Sequence, residues 1–247
     1  MQESSFSAAP RFYVHGPLAP GAEIELPERI VRHIAVLRLS AGDALTLFNG
    51  FGGEYAASLS RSTRSAARAR VLAWRDVERE SGIRITLAQG LCGGDRMDYA
   101  IQKATELGVQ TIQPLATERS VIRLSDDRAE RRMTHWRNVA VAACEQCGRN
   151  RPPEVRVVAT LDALFSAAED GAQKLMLAPS GTIRLRELPR ADSVTVLIGP
   201  EGGLSGNEEG RALGAGFTAV WMGPRVLRTE TAPLAAIAAL QSMWGDA

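Results

Sequence analysis

The chain contains the run Val196-Leu-Ile-Gly-Pro-Glu-Gly-Gly203 in its C-terminal part. This run predicts an apolar β-strand that ends in a loop rich in glycine and proline. A second run, Met222-Gly-Pro-Arg-Val-Leu-Arg-Thr-Glu-Thr-Ala-Pro233, predicts a glycine loop that leads into a capped helix. Open loops at neighbouring strand ends are where an α/β sheet binds a nucleotide-like ligand. The two runs therefore predict an α/β fold with a ligand site between these loops.

Predicted strands and helices alternate from residue 84 to the C-terminal part of the chain. The strands are Arg84–Leu91, Thr111–Leu115, Glu154–Val158, Lys174–Ala178, Val194–Ile198 and Ala219–Met222; the helices are Asp95–Leu107, Asp127–Gly148, Asn207–Leu213 and Thr229–Trp244. This alternation indicates a parallel sheet that is covered by helices on both faces. We assign residues 76–247 to this domain.

The N-terminal residues 1–75 have strand and turn signals and lack long helical periodicity. Short alternating stretches at Arg11–Val14, Ala44–Phe48 and Glu54–Leu59 predict strands, and Asn49–Gly53 predicts a turn. Helical spacing of Ile30, Ile34 and Leu37 predicts one short helix. This pattern indicates a small β-barrel-like domain.

Composition places the chain among globular proteins. Its 247 residues are 45% hydrophobic, without an apolar run long enough to span a membrane, and the first residues lack a secretion signal, so we expect a cytoplasmic protein. The pair Cys144 and Cys147 lies in a helical pattern and lacks the second ligand pair of a structural zinc site. We therefore expect no metal, and we interpret the cysteines as small buried thiols.

Arginines are concentrated in particular stretches, although the formal net charge is only +1. Residues 61–75 contain Arg61, Arg64, Arg68, Arg70 and Arg75 and no acidic residue. One explanation is a composition bias that places arginine where lysine could stand. The other is RNA binding, because the planar guanidinium binds phosphates and stacks on bases.

The two glycine loops together resemble the signature of the SPOUT methyltransferases. Further stretches are similar to one group of them, the RsmE family: Arg11-Phe-Tyr-Val14, Val36–Asp43, Gly94–Gly108, Thr117-Glu-Arg-Ser-Val121, His135-Trp136 and Glu145–Pro152. The resemblance implies a PUA-like barrel followed by a trefoil-knotted parallel-sheet domain, and a homodimer. Leu234, Ile237, Leu240 and Trp244 also give the last helix more apolar surface than one face of a monomer requires.

The resemblance implies methylation of ring nitrogen 3 of a uridine in 16S ribosomal RNA of the small (30S) subunit, with S-adenosylmethionine as the cofactor. It places the cofactor site at Leu197, Gly199, Pro200, Gly203, Met222, Gly223, Leu227, Arg228, Glu230, Thr231 and Ala232. Glycines leave room for a flat ring, and the first turn of the last helix offers unpaired N–H groups.

Three of the charged residues in these loops are candidate catalytic groups. Glu201 or Glu230 could orient or deprotonate the base, or could instead cap its own loop or helix. Arg228 could stabilise the developing uracil anion, or form a salt bridge. The candidates for RNA contact are Arg11, Arg61, Arg64, Arg68, Arg119, Arg123, Arg149, Asn150 and Arg151.

Other functions remain open at this stage. Another SPOUT enzyme could methylate a ribose 2′-hydroxyl or a tRNA base, and a non-catalytic ribosome assembly factor could keep the knot as a scaffold. A dinucleotide dehydrogenase is disfavoured because no Gly-x-Gly-x-x-Gly follows an early strand.

Overall fold

The computed structural model describes residues 9–120, 126–167 and 171–247. The chain forms two compact units. The first contains the described residues up to Glu80 together with Cys144–Arg151, and the second contains the described residues of Ser81–Ala143 and Pro152–Ala247. The predicted boundary after residue 75 remains a prediction; the first unit also takes in residues 76–80 and 144–151.

The first unit is built on a mostly antiparallel sheet. Its elements are β1 (Arg11–Tyr13), β2 (Glu23–Glu25), α1 (Glu28–Leu37), β3 (Ala44–Phe48), β4 (Glu54–Ser62) and β5 (Ala67–Arg75). The strand order is β1-β3-β4-β5-β2, and β1 runs parallel to β3 while the other pairs are antiparallel. The short β2 and the long β5 were not predicted. Arginine alternates with alanine and valine in the first half of β5. The stretch was therefore interpreted as a charge cluster and not as a strand.

The core of the first unit lies between this sheet and α1. Ile30, Val31 and Ile34 of α1 are buried, as the helical spacing of the apolar residues predicts. They pack in one cluster with strand residues such as Leu47 and Leu59. Arg38 ends the helix with φ 56°, a left-handed conformation that is uncommon for a residue with a side chain.

The second unit is an α/β fold on a parallel sheet. Its elements are β6 (Arg84–Gly90), α2 (Gly94–Glu106), β7 (Thr111–Ala116), α3 (Asp126–Cys147), β8 (Glu154–Val155), β9 (Ala159–Thr160), α4 (Leu161–Ala167), β10 (Gln173–Leu177), β11 (Ile183–Arg184), a 3₁₀ turn (Leu185–Glu187), β12 (Ser193–Ile198), α5 (Gly206–Gly214), β13 (Thr218–Trp221) and α6 (Thr231–Trp244). The last residues of α3, Cys144–Cys147, belong to the first unit.

All pairings between the strands of this second sheet are parallel. The order is β11-β13-β10-β12-β6-β7-β8, with β9 also pairing with β7. The predicted alternation is therefore confirmed, although α4 was not predicted. Of the predicted strand Glu154–Val158, only Glu154–Val155 forms a strand, β8, and residues 156–158 separate it from β9.

Helices cover both faces of the second sheet. Along β12, Val196 and Ile198 lie in a cluster with residues of α2, α3 and α6, whereas Leu197 lies in a cluster with residues of α4 and α5. Successive strand residues point to opposite faces, so the continuous apolar run Val196–Ile198 is the pattern of a strand that is buried on both sides.

The last helix, α6, packs its apolar residues inward. Ile237, Leu240 and Trp244 all belong to the core of the second unit. The prediction of surplus apolar surface is therefore wrong for these three residues, which the chain's own sheet and helices cover, whereas Leu234 is half-buried and lies outside this core.

Candidate functional site

Three loops meet at the carboxyl ends of adjacent strands in the second unit. The strands β13, β10 and β12 are neighbours and are parallel, so the loops that follow them lie at the same edge of the sheet. A cavity of about 490 Å³ lies among these loops, a volume within the usual range for small-ligand sites. Its lining consists of Arg96, Leu177, Pro179, Ile198, Gly199, Pro200, Glu201, Gly203, Leu204, Glu209, Val226, Leu227, Arg228, Thr229, Glu230 and Ala232.

A smaller cavity of about 130 Å³ adjoins the first and shares several of its lining residues. It adds Met222 and Gly223 from the second glycine loop, together with Ala178 and Trp221. The two cavities thus contain nine of the eleven residues that the resemblance assigns to the cofactor. The exceptions are Leu197, which is buried in the face that packs on α4 and α5, and Thr231, which is exposed.

Thr229 connects the two glycine loops. Its hydroxyl donates a hydrogen bond of 2.8 Å to the carbonyl oxygen of Gly199 and accepts one of 3.0 Å from the side-chain amide of Gln89. Thr229 is 7% exposed and Gln89 is fully buried at the end of β6. This network fixes the ends of β6 and β12 to the chain just before α6.

The last helix begins two residues later than predicted. Thr229 does not cap it, because its hydroxyl bonds to the other loop; α6 starts at Thr231 after Glu230, which makes no capping hydrogen bond. The N–H groups of Thr231 and Ala232 both donate to the carbonyl oxygen of Arg228 at 2.9 Å. The prediction that these helix N–H groups are unpaired is therefore wrong.

The glycines allow backbone segments to approach one another. A Cβ at Gly199 would lie 2.8 Å from the backbone of Gly203 and Leu204, and one at Gly90 would lie 2.6 Å from the nitrogen of Pro200. The absent side chain of Gly199 thus makes room for the tight turn of its own loop rather than for a ligand ring. Gly223 differs, since its φ is +111° and a Cβ there would meet no atom closer than 3.9 Å.

Glu201 links the first glycine loop to the segment after β6. One carboxylate oxygen accepts a hydrogen bond of 2.7 Å from the Gly93 N–H and one of 2.8 Å from the Arg96 guanidinium. Partial burial raises the pKa of Glu201, but these hydrogen bonds outweigh it, so the pKa is lowered from its ordinary value. The carboxylate is therefore held in its charged form.

Glu230 is arranged differently, although it lines the same cavity. Its Oε2 atom is buried and accepts no hydrogen bond from any described residue, and it lies 3.9 Å from Nε of Arg96. Arg228 also lines the cavity, and no ion pair joins it to another described residue. The salt bridge considered for Arg228 is thus not formed within the described part of the chain.

Arg119, a predicted RNA contact, is exposed but is bound to the first glycine loop. Its guanidinium donates to the carbonyl oxygens of Gly202 at 2.9 Å and Leu204 at 3.1 Å. The neighbouring N–H of Glu118 donates to Glu208, which forms a reciprocal capping box with Ser205 at the start of α5. Arg119 therefore holds the loop from outside, a role that sequence patterns did not reveal.

Sequence reasoning missed the third loop of the site, which contributes Leu177 and Pro179, and the cavity residues Arg96 and Val226. The available signal was Ala-Pro-Ser-Gly after a predicted strand, a turn at the carboxyl edge of the sheet. Arg96 stood in a motif already identified as similar to the RsmE family. Arg96 lies beside the cavity because β6 pairs with β12, and no local sequence pattern predicts that pairing.

The predicted RNA contacts of the first unit fall into two groups. Arg61, Arg64 and Arg68 are exposed near the turn between β4 and β5, and Arg61 lies directly opposite Arg68 in the sheet register. Arg68 also lies 3.8 Å from Glu23. These side chains are accessible at the surface. Arg123 lies outside the described residues.

The second group is largely internal. Arg149 is 4% exposed and is ion-paired with Glu80, while Asn150 is fully buried between Arg11 and the carbonyl oxygen of Val77. Burial leaves neither side chain available to a phosphate, and we withdraw both from the predicted RNA contacts.

Arg11 and Arg151 are also engaged within the first unit. Arg11 bonds to Glu54 and to the Gly148 carbonyl oxygen, so it acts as a structural support of this unit. Arg151 is partly exposed but is paired with Glu78. Among Arg11, Arg149, Asn150 and Arg151, only Arg151 keeps a side chain that is partly open to solvent.

Neither Cys92 nor Cys144 is an activated thiol. Burial, followed by the charges of Glu201 and Glu230, raises the pKa of Cys92 to about 12. A hydrogen bond with Cys147 and burial raise the pKa of Cys144. No group of three or more His, Cys, Asp or Glu that could hold a metal occurs within residues 9–120, 126–167 and 171–247. Within those same ranges, no helix has the length and apolar character needed to cross a bilayer.

The chain matches known families in both parts. Residues 79–241 match the RNA methyltransferase domain family, and residues 26–72 match the RNA methyltransferase PUA domain family. Ribosomal RNA small subunit methyltransferase E of Buchnera aphidicola (strain Sg) is 33% identical over 96% of this chain and 97% of its own length. The protein of the same name from Bacillus subtilis is 33% identical over 85% of this chain and 86% of its own.

Solved structures agree with these matches. A methyltransferase from Legionella pneumophila in complex with S-adenosylmethionine has a TM-score of 0.94 and 40% identity, covering 97% of this chain and 99% of that one. Ribosomal RNA small subunit methyltransferase E from Neisseria gonorrhoeae, bound to S-adenosylmethionine, has a TM-score of 0.91 and 40% identity, covering 96% and 99%.

The parallel sheet with its strand-end cavity, joined to a PUA domain, defines the class of RNA methyltransferases. Within that class, the chain belongs to the ribosomal RNA small subunit methyltransferase E family.

Proposed function

We propose that this protein transfers a methyl group from S-adenosylmethionine to ring nitrogen 3 of a uridine in the 16S RNA of the small ribosomal subunit. The observation that carries the proposal is the 490 Å³ cavity at three strand ends, in a chain 40% identical to two structures that hold S-adenosylmethionine. The ring nitrogen, as opposed to a ribose or tRNA position, comes from the RsmE resemblance.

The residues of the cavity fit such a cofactor. Leu177, Ile198 and Leu227 offer apolar contact for a flat purine ring, and the glycine loop offers backbone groups for its polar edge. Glu201 and Glu230 supply negative charge for a ligand that carries a positive sulfur and an ammonium group. When bound, the cofactor supplies the methyl group, and the protein positions the acceptor nitrogen in line with it.

Arg228 is the cation that we assign to the developing charge on uracil. It lines the cavity and is exposed, without an ion-pair partner among the described residues. Removal of the imide proton places negative charge on the two ring oxygens, and a positioned guanidinium stabilises such charge.

The first unit is the proposed RNA-capturing part, and Arg61, Arg64 and Arg68 are its proposed contacts. Arg61 and Arg68 face each other across two strands, and like charges placed directly opposite destabilise a sheet. A phosphate between them would remove this repulsion. Glu23 already compensates part of the charge at Arg68, and a bound phosphate would compensate the rest of the pair.

We further propose that the protein is a homodimer that acts in the cytoplasm. The proposal rests on the RsmE resemblance, because α6 uses its apolar residues Ile237, Leu240 and Trp244 within its own unit. A dimer mass in light scattering at micromolar concentration would support it, and a monomer mass would contradict it. The trefoil knot likewise remains a prediction.

A deletion strain tests the function in cells. Nucleosides from its 16S RNA should lack 3-methyluridine, and the wild-type gene on a plasmid should restore it. A Gly199→Ala gene should not, because the Cβ disrupts the cavity loop. Unchanged 3-methyluridine in the deletion strain would refute the proposal, and loss of a ribose methyl group instead would favour a 2′-O enzyme.

A further inference from the structure

Three charged side chains from three different segments meet at the cavity. Arg96 comes from the first turn of α2, Glu201 from the loop after β12, and Glu230 from the residue before α6. Arg96 donates to Glu201 at 2.8 Å through Nη1, and its Nε lies 3.9 Å from Oε2 of Glu230. One guanidinium therefore stands between two carboxylates.

The two carboxylates are not equivalent. Glu201 accepts hydrogen bonds from the Gly93 N–H and from Arg96, so its charge is already compensated. A charged oxygen held by two donors is a poor proton acceptor, because protonation would cost both hydrogen bonds. Glu201 therefore has the features of a structural link between the segment after β6 and the first glycine loop.

Glu230 has the features that Glu201 lacks. Its Oε2 is buried and receives no hydrogen bond from the described residues, and its side chain does not cap α6. A buried carboxylate oxygen without a donor is unfavourable unless a bound group supplies one. The residue lines the cavity, so the missing donor can come from a molecule bound there.

We infer that Glu230 accepts the imide proton of the target uracil, and that Arg96 is a positioning residue that orients Glu230 and holds its charge. This inference rests on the proposed function. The ring N–H bond breaks and its proton goes to a Glu230 oxygen. The electron pair left on nitrogen forms the bond to the methyl carbon as the carbon–sulfur bond breaks, with that bond's electrons remaining on sulfur. Glu230 then releases the proton to water.

Arg96 suits this role because its guanidinium has donors in more than one direction. Anchoring one nitrogen on Glu201 fixes the plane of the group, so that Nε stays directed towards Glu230. Arg228 lines the same cavity as Glu230, and the thiol of Cys92 stays neutral because burial and then the charges of Glu201 and Glu230 raise its pKa to about 12.

The first test compares Glu230→Gln with Glu201→Gln. Glutamine keeps the shape of each side chain but cannot take the proton. We expect Glu230→Gln to bind S-adenosylmethionine somewhat more weakly, because the cavity loses one negative charge, and in addition to lose about 10²- to 10⁴-fold in kcat at saturating cofactor. Glu201→Gln should instead weaken cofactor affinity and keep most of its kcat. A Glu230→Gln enzyme with wild-type kcat, or one that merely loses cofactor affinity, would overturn the assignment.

The second test separates positioning from simple structural support. Arg96→Gln should lower kcat in the wild-type background but change it little in the Glu230→Gln background, because a residue that acts by orienting Glu230 has no further effect once that side chain cannot accept the proton. Arg96→Lys keeps the charge and should recover part of kcat but not all of it, because one ammonium group cannot replace the two guanidinium nitrogens directed towards Glu201 and Glu230. Arg190→Gln, at an exposed position away from the cavity, is the matched control.

Equal fold losses of kcat for Arg96→Gln in the wild-type and Glu230→Gln backgrounds, or the same kcat for Arg96→Gln and Arg190→Gln, would overturn the role of Arg96. Melting temperatures and cofactor titrations of each variant show whether it is folded. Failure of the proposed function is recognised separately, because the wild-type protein itself would then methylate no ring nitrogen in small-subunit RNA.

Discussion

The hydroxyl of Thr229 lies 2.8 Å from the carbonyl oxygen of Gly199 and donates a hydrogen bond to it. The same oxygen of Thr229 accepts a 3.0 Å hydrogen bond from Gln89, so one side chain connects β6, the loop after β12 and the approach to α6. Its burial means that water cannot replace either bond. The shape of the cofactor cavity therefore depends on this hydroxyl.

Thr229→Val should destabilise the protein and weaken cofactor binding. Valine has almost the same shape as threonine but leaves the Gln89 amide and the Gly199 carbonyl without this partner, at a cost of about 1–3 kcal/mol in the free energy of unfolding. Urea unfolding and calorimetric titration measure the two effects. Thr229→Ser, which keeps the hydroxyl, should lie close to wild type, and equal behaviour of the two variants would contradict the role of the hydrogen bond.

Gly199→Ala should abolish cofactor binding through the loop rather than by filling the cavity. The added Cβ would lie 2.8 Å from the backbone of Gly203 and Leu204, so the turn must open. Gly206→Ala is the matched control, since a Cβ there meets no atom within 4 Å. Calorimetry with S-adenosylmethionine should show loss in the first variant and wild-type affinity in the second. Wild-type affinity in Gly199→Ala would show that the loop has another conformation.

The charge of Glu201 gives a defined pH dependence. Its pKa in the folded protein is below the ordinary value of 4.5, so the stabilisation that it gives is fully present above about pH 4.5 and is lost as the pH falls through the lowered pKa. The difference in melting temperature between wild type and Glu201→Gln should therefore be largest near neutral pH and shrink in acid. A difference that grows as the pH is lowered would contradict the sign of this shift.

The two groups of arginines in the first unit should respond differently to alanine. Arg149→Ala removes one partner of a buried ion pair and leaves Glu80 without it, which should cost about 3–5 kcal/mol in the free energy of unfolding. Arg61→Ala, at an exposed position opposite Arg68, should leave the stability unchanged or raise it slightly. Urea unfolding of both variants tests this division, and equal stabilities would contradict it.

The exposed arginines, which contribute little to stability, should instead contribute to RNA binding. If Arg61 and Arg68 each neutralise one phosphate, each alanine variant should reduce the slope of log affinity against log salt by about 0.7–0.9. Arg190→Ala, an exposed arginine of the second unit, should leave the slope unchanged. Unchanged slopes in the Arg61 and Arg68 variants would show that this cluster reflects composition alone.

Much of the second unit could be predicted from sequence because the apolar runs, the helical spacing and the glycine loops all indicated the same fold. Apolar runs such as Val196–Ile198 are typical of strands buried on both faces, and the glycine loops marked the carboxyl edge of the sheet. Local patterns could not tell that Thr229 bonds to a distant loop instead of capping α6, because a threonine before an apolar helix has the same appearance in both cases. The resemblance supplied the cofactor residues, and nine of eleven line the two cavities.

The arginines show where such reasoning fails. Arg149 and Arg61 are the same residue type in similarly basic stretches, yet one is buried against Glu80 and the other is exposed. Residues 144–151 are distant in sequence from Glu80 but belong to the same compact unit. The fold therefore brings Arg149 to Glu80, whereas Arg61 remains at the surface. Charge clustering reports composition along the chain, whereas availability to RNA depends on which acids the fold brings near.

The most direct test of the account is methylation by the purified protein. Small-subunit particles or 16S RNA from a strain lacking the gene would be incubated with the protein and S-adenosylmethionine carrying an isotopically labelled methyl group, and the RNA would be digested to nucleosides for mass spectrometry. We predict that the label appears in 3-methyluridine, approaching one methyl group per RNA, and that Gly199→Ala incorporates none. Label on a ribose or on another base, or no label with either substrate, would contradict the account.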